Sequence, residues 1–245
     1  AFQHYTVRDS GLINGNFSVM NLMQRIARAI GLNTDDPARQ EMDTLRHLLD
    51  QGRIFKRAER YGEALTTLEQ ATHIEALQRN PSLLALVEIS RADIFIQQAR
   101  WHDAENLLTR LKSLFSPNDR PTAYVLDTFG VLAQAQGEWD AARDYYEKAR
   151  TTARETGTEG AEGRAEGHLA DTYMQEGNAS YSVHLLKEAL NKLNSSGDVE
   201  LSSYFTGRLG EALIATGQDG QGRQLLGRAL RIAQQMKHRL YERRW

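Results

Sequence analysis

The sequence predicts an all-α protein: a right-handed α-solenoid of five helical hairpins with an N-terminal capping helix. Three observations predict this fold. Apolar residues recur at three- and four-residue steps, one residue pattern returns at intervals close to 40 residues, and the four prolines fall between the proposed helices, at Pro37, Pro81, Pro117 and Pro121. Because a proline inside a helix costs about 3 kcal/mol, this placement supports the proposed boundaries.

The pattern is clearest in residues 121–155. A first helix is predicted at about 122–135 and a second at about 139–152. Gly137 ends the first helix, because a residue without a Cβ readily takes the left-handed conformation that closes a last turn. Gly130 lies on the apolar stripe of the first helix, where a side chain would hold the partner helix away. The spacing therefore predicts two helices packed closely as a hairpin.

Four further segments repeat this design in near-constant phase. The first inner residue of the second helix falls at Ala64, Ala104, Ala142, Ser182 and Gly222. We expect units at about 37–80, 81–118, 119–158, 159–197 and 198–236, followed by a C-terminal helical extension at 237–245. Residues 1–36 are expected to be irregular at first and then to form an amphipathic helix.

That N-terminal helix is predicted over Phe17–Ile30, where Gly31 stops it. The simplest interpretation is a cap on the open end of the solenoid, since an exposed stacking face is a large apolar patch. The alternatives are the remnant of an upstream domain and a partner-binding helix.

The repeated order of small and aromatic residues resembles the tetratricopeptide repeat (TPR). The positions that match best are Gly130, Gly137, Trp139, Ala142, Tyr146 and Ala149. The resemblance covers roughly residues 41–236, with a period longer than the usual ~34 residues. Such longer periods resemble the repeats of Pins-type polarity adaptors, kinesin light chains, peptide-sensing bacterial regulators and maltose-activator-type transcription factors.

Composition excludes several classes of site and partner. The chain has 245 residues, 40% of them hydrophobic, a net charge of −2 and no cysteine. Disulfides, zinc–thiolate sites and a cysteine nucleophile are therefore excluded. No apolar run approaches the ~18 residues of a membrane span, so we expect no membrane partner and a cytoplasmic protein. The basic C-terminal segment has little aromatic interleaving, which disfavours nucleic acid.

The sequence offers no constellation of catalytic residues. The seven histidines include no pair at the one-turn spacing of a metal site. The glycines Gly157, Gly160 and Gly163 follow a helix rather than a strand and lack the Gly-Lys-Ser/Thr ending of a phosphate-binding loop. We therefore predict no enzymatic activity, no catalytic residue, no cofactor and no metal.

The TPR resemblance implies that the first helix of each unit lines a concave groove that holds peptides. By spacing, the candidate groove residues are Arg46, Leu49, Arg53, Lys56, Arg57, Leu86, Ile89, Asp93, Ile96, Gln97, Tyr124, Asp127, Val131, Gln134, Arg164, Asp171, Met174, Tyr204 and Glu211. The alternative is an ordinary solvated face. Two features favour a partner: the set contains more apolar residues than solvation requires, and its cations suit an acidic segment or a free carboxylate.

These features predict a non-catalytic scaffold that binds a protein or peptide segment. The Lys/Asn clamp of chaperone-binding members is absent, because Arg53 stands where Asn is expected, which disfavours a heat-shock-chaperone adaptor. The alternative function is a ligand- or peptide-sensing regulatory domain of a larger signalling or transcription-regulatory protein. Self-association through the end helices is a further hypothesis.

Overall fold

The predicted all-α solenoid is confirmed over the residues that the structure, a computed structural model, describes. These are residues 37–245, so the predicted capping helix at 17–30 lies outside the described residues. The helices are α1 (Pro37–Arg57), α2 (Tyr61–Thr72), α3 (Glu75–Gln78), α4 (Pro81–Gln97), α5 (Trp101–Leu114), α6 (Arg120–Ala135), α7 (Trp139–Glu155), α8 (Glu159–Gln175), α9 (Ala179–Ser196), α10 (Val199–Ala215), α11 (Asp219–Met236) and α12 (Arg239–Arg244).

The long helices pack in sequence as five hairpins: α1 with α2, α4 with α5, α6 with α7, α8 with α9 and α10 with α11. Each first helix also contacts the preceding hairpin, so that α4, α6, α8 and α10 form a continuous inner layer and the second helices an outer one. The hydrophobic core lies between the two layers. Stacking in one direction leaves the inner layer as a concave wall.

Left-handed residues mark the turns of the array. Within the five hairpins they are Glu59, Ala99, Gly137, Gly177 and Gly217, and between units they are Gly157, Gly197 and Lys237. The glycine turns follow from the absence of a Cβ. Three residues with side chains, Glu59, Ala99 and Lys237, adopt the same conformation, which their residue types did not indicate.

Small residues let neighbouring units approach, as the spacing predicts. A Cβ on Gly167 in α8 would lie 2.5 Å from Cδ2 of Phe205 in α10, and closer still to two other atoms of that ring. A Cβ on Gly130 would likewise clash with the ring of Tyr146, which is completely buried. The aromatic rings of one helix thus occupy the space that glycine leaves on the next.

The last nine residues differ from the expected continuation of α11. The helix ends at Met236 because Lys237 is left-handed, and the separate helix α12 begins at Arg239. Trp245 then packs against Gly207, as Phe205 packs against Gly167 one 40-residue period earlier. The helix α12 therefore occupies the position of the first helix of a further unit.

Candidate functional site

The concave wall encloses a cavity of about 350 Å³. Side chains from α1, α4, α6, α8, α10 and α12 reach it, so every first helix of the five hairpins contributes. Most of the predicted groove residues line it: Leu49, Arg53, Lys56, Arg57, Leu86, Ile89, Asp93, Ile96, Gln97, Tyr124, Val131 and Arg164. The volume lies near the lower end of the range of small-ligand pockets.

The apolar part of the cavity comes mainly from α4 and α6. Helix α4 is apolar on most of its surface because it packs between the first hairpin and α6. Leu86 and Ile89 of α4 and Val131 of α6 line the cavity as well as the core behind it. Rigid packing on both sides therefore holds an apolar surface open toward the cavity.

The charged part of the cavity is built from ion pairs between units. Lys56 Nζ lies 3.1 Å from Asp93 Oδ2, and Arg57 Nε lies 2.8 Å from Glu200 Oε2. Burial alone would lower the pKa of Lys56, but the charges of Asp93 and Glu200 outweigh it and raise that pKa. Burial likewise opposes ionisation of Glu200, yet hydrogen bonding to His238 and the charges of Arg57 and Lys56 hold its pKa well below the ordinary value.

A second row of ion pairs lies beneath the cavity wall. Asp127 is completely buried and accepts hydrogen bonds from Arg164 Nε at 2.9 Å and from His168 Nδ1 at 2.8 Å. Burial would raise the pKa of Asp127, but His168 and Arg164 lower it. The same 37-residue offset recurs between Asp171 and Arg208, whose Nε lies 2.5 Å from Oδ1. The predicted groove residues Asp127 and Asp171 therefore join neighbouring first helices and do not line the cavity.

Three other predicted groove residues lie away from the cavity lining. Arg46 pairs with Asp43 on its own helix at 3.1 Å. Gln134 accepts a hydrogen bond from the Tyr146 hydroxyl at 2.7 Å. Met174 packs against the core formed by the last units. Their contacts are local or structural, and none of the three lines the cavity.

The last two predicted residues, Tyr204 and Glu211, contact the C-terminal helix. The ring of Tyr204 lies 5.3 Å from that of Tyr241 and 6.1 Å from that of Trp245. Glu211 Oε2 lies 3.4 Å from Arg244 Nη2. These two inner positions of α10 are thus covered by α12.

Several lining residues were missed by spacing on the first helices alone. They are Gly52, Leu68, Val87, Ser90, Gly160, His168, Ser196, Gly197, Asp198, Glu200, Leu201, His238 and Tyr241. The 40-residue period relates some of them to one another. It relates Gly160 to Glu200, and Asp198 to His238. Because equivalent turns of successive first helices face the same space, one lining residue predicts the next.

The two ends of the array meet across the cavity. The pair between Arg57 and Glu200 joins α1 to α10, and Glu200 Oε1 also lies 3.3 Å from His238 Nε2. Arg243 of α12 pairs through both Nη atoms with Glu59, with Nη1 2.7 Å from Oε2. We call this contact between α1 and the α10–α12 end the closure seam. It links the first unit to the last units beside the cavity.

Within residues 37–245 no group of three or more His, Cys, Asp or Glu is arranged to hold a metal ion. None of the helices described is both long enough and apolar enough to cross a bilayer.

The tetratricopeptide repeat family model matches residues 83–155, which cover the second and third hairpins. The hairpin geometry, the close approach at glycine and the left-handed turns extend the same repeat over the other units. The family match and the repeated hairpin geometry together support a tetratricopeptide-type repeat protein. No curated protein matches the sequence significantly.

Three solved structures share the fold over 91% of this chain. One is PlcR of Bacillus thuringiensis in complex with the peptide PapR7 and DNA, with 12% identity, 83% of that chain covered and a TM-score of 0.65. Another is a Rap protein complexed with Competence and Sporulation Factor, with 9% identity, 73% of that chain covered and a TM-score of 0.65. The third is the Rap conjugation gene regulator of plasmid pLS20 in complex with the Phr* peptide, with 15% identity, 65% of that chain covered and a TM-score of 0.64.

Proposed function

We propose that this protein binds a short peptide segment, without catalysis, in the cavity of its concave wall. One observation carries the proposal: every first helix of the five hairpins directs side chains into a single cavity that has both an apolar floor and charged walls. A solvated face would not need Leu86, Ile89 and Val131 together at one place. A mixture of apolar anchors and a few fixed polar groups is what a ligand site requires.

The structural neighbours support a peptide as the ligand. Two of them were solved with a bound peptide, PapR7 and Phr*, and the third with Competence and Sporulation Factor. At 9–15% identity they share the fold with this chain, so the peptide ligand is our proposal here. The cytoplasmic location and self-association through the end helices remain predictions from the sequence.

A carboxylate on the peptide would meet Arg53 first. The Arg53 side chain is 28% exposed, against 18% for each of the other lining cations Lys56, Arg57 and Arg164. Its acidic partner is Asp50, on the same helix one turn earlier, so the contact is local. We therefore propose Arg53 as the group for an acidic side chain or a C-terminal carboxylate of the peptide.

A matched pair of leucine substitutions tests the proposal. Leu86 lines the cavity, whereas Leu114 is 64% exposed and lies outside it. A pool of random heptapeptides would be incubated with each protein, and retained peptides identified by mass spectrometry after size exclusion. We expect the Leu114→Arg variant to retain the wild-type peptides and the Leu86→Arg variant to lose at least about tenfold in retention.

Circular dichroism would verify that both variants keep their helix content. Equal retention by the Leu86→Arg variant would reject the cavity as the binding site. Absence of any retained peptide with the wild-type protein would reject peptide binding itself.

The closure seam favours a second candidate function, a ligand-sensing regulatory domain of a larger protein. A ligand between α4 and α10 would contact the ion pair of Arg57 and Glu200, which lies in the same cavity wall. Binding would then change the separation of the two ends of the array. Small-angle scattering with and without a retained peptide tests this: a regulatory domain should change its radius of gyration, and a passive scaffold should keep it.

A further inference from the structure

One carboxylate in the cavity wall makes no ion pair within residues 37–245. Asp93 is paired with Lys56, and Glu200 with Arg57. Asp198, the remaining acid that lines the cavity, makes no ion pair with any residue of 37–245. Its Oδ1 atom accepts a hydrogen bond from Leu201 N at 3.0 Å, which caps the start of α10. The Oδ2 atom is therefore left for another donor.

The groups around Asp198 combine donors and acceptors. Arg164 donates through Nε to Asp127, and its two Nη groups make no hydrogen bond to the described residues. Gly160 lines the same cavity as Arg164 and Asp198. A Cβ on Gly160 would be 3.2 Å from the Tyr124 hydroxyl and 3.3 Å from Ser196 Oγ. The absence of a side chain at Gly160 thus lets these two hydroxyl groups approach its backbone closely. The carboxylate of Asp198 and the two Nη groups of Arg164 therefore lie in the wall of the same cavity.

One ring nitrogen of a second polar side chain in this wall also lacks a hydrogen-bond partner among residues 37–245. His238 is 4% exposed and lines the cavity, and its buried Nδ1 atom has no hydrogen bond within the described part of the chain. A buried, unsatisfied ring nitrogen costs free energy unless a ligand or water meets it. Burial also raises the pKa of Asp198, more than the charges of Arg164 and Lys56 lower it. The geometry thus leaves one oxygen of Asp198 and one ring nitrogen of His238 available to a polar ligand in the cavity.

We propose that this end of the cavity binds the free N-terminus of the peptide. The α-ammonium group would donate to Asp198 Oδ2, and the first peptide carbonyl would accept from an Nη group of Arg164. The N-terminal end of the peptide would then be held by two charge-assisted hydrogen bonds, one to a carboxylate and one from a guanidinium group. The inference rests on the proposed function, since it assigns the orientation of the peptide in the same cavity.

The test compares two pools of random heptapeptides that share an amidated C-terminus. One pool has free N-termini and the other is N-acetylated. We expect the wild-type protein to retain the free-amine pool at least about tenfold better, because a charge-assisted hydrogen bond is worth a factor of that size or more. The Asp198→Asn variant should lose this preference.

The Asp198→Asn variant removes the negative charge of residue 198 and nearly preserves the shape of its side chain. Asparagine caps helix N-termini as well as aspartate does, so α10 keeps its cap and thermal unfolding should show a folded protein. The matched control is Asp144→Asn, an exposed acid of α7 outside the cavity, which should keep the full preference.

Each outcome separates the two proposals. Equal retention of both pools by the wild-type protein would overturn the N-terminal orientation and leave peptide binding intact. Retention of acetylated peptides that share a lysine would assign the site to a side-chain ammonium and would also overturn it. Retention of neither pool would overturn this inference, whereas peptide binding itself is judged by the pool of unmodified heptapeptides described above.

Discussion

Replacing Gly167 by alanine tests the stacking of the units most sharply. The added Cβ would lie 2.5 Å from Phe205 Cδ2, whereas an ordinary carbon contact is 3.4–4 Å. The ring would have to retreat by about 1 Å or more inside a close-packed interior. Phe205 is fully buried, with the rings of Tyr204 and His168 centred 5.2 and 5.3 Å away, so this retreat is resisted.

The expected change in the free energy of unfolding of Gly167→Ala follows from two opposing effects. Overpacking of this kind costs about 1–3 kcal/mol, and a displacement of this size favours the upper end. Alanine recovers about 1 kcal/mol of helix propensity over glycine. We expect Gly167→Ala to lower the free energy of unfolding by about 2 kcal/mol, which corresponds to a melting temperature lower by about 4–8 °C.

The matched control is Gly227→Ala in α11. The nearest heavy atom to its added Cβ is Arg231 Nη1 at 3.6 Å, an ordinary contact. The propensity gain should therefore remain, and this variant should be more stable than the wild type by up to about 1 kcal/mol. Urea titrations monitored by circular dichroism measure the free energy of unfolding of both variants. A Gly167→Ala variant as stable as the wild type would refute the close approach of α8 and α10.

Three further predictions concern the turns, the buried ion pairs and the closure seam. Lys237→Gly should raise the free energy of unfolding by about 0.5–1 kcal/mol in urea titrations, because Lys237 is left-handed. Asp127→Asn should cost about 3–5 kcal/mol at pH 7, since it leaves Arg164 unpaired under the cavity wall. Because the folded pKa of Asp127 is lowered, its stabilising contribution is present above the ordinary Asp pKa of about 3.9 and is lost as pH falls from there through the folded pKa. The difference in melting temperature between wild type and variant should therefore be constant near pH 7 and narrow as the pH falls below about 3.9. Arg243→Ala should speed amide hydrogen exchange in α12 by removing its contact with Glu59, whereas unchanged exchange would contradict a role for that pair in the closure seam.

The fold could be predicted from the sequence because its signals are local and repeated. Gly137, Gly177 and Gly217 recur at one spacing, and each ends a first helix where expected. The turns at Glu59 and Ala99 gave no such signal, since their side chains do not favour the left-handed conformation. There the packing of the flanking helices determines the backbone.

The site could be predicted only in part. Helical spacing identified Leu86, Ile89 and Val131, which lie on faces set by the 3.6-residue period. It could not show that Asp127 turns away to meet Arg164, because that depends on which residues of neighbouring units come together. It also could not reveal the closure seam, whose residues Glu59 and Arg243 are 184 positions apart and meet only after the array has curved.

Site-directed photo-crosslinking tests the central claim most directly. A diazirine amino acid would replace Val131, in the cavity wall, or Trp101, which is 39% exposed on the outer layer and does not line the cavity. A heptapeptide retained by the wild-type protein would be added and irradiated. Our account predicts cross-linked peptide at position 131 and none above background at position 101. Cross-linking at position 101 with none at position 131 would contradict it.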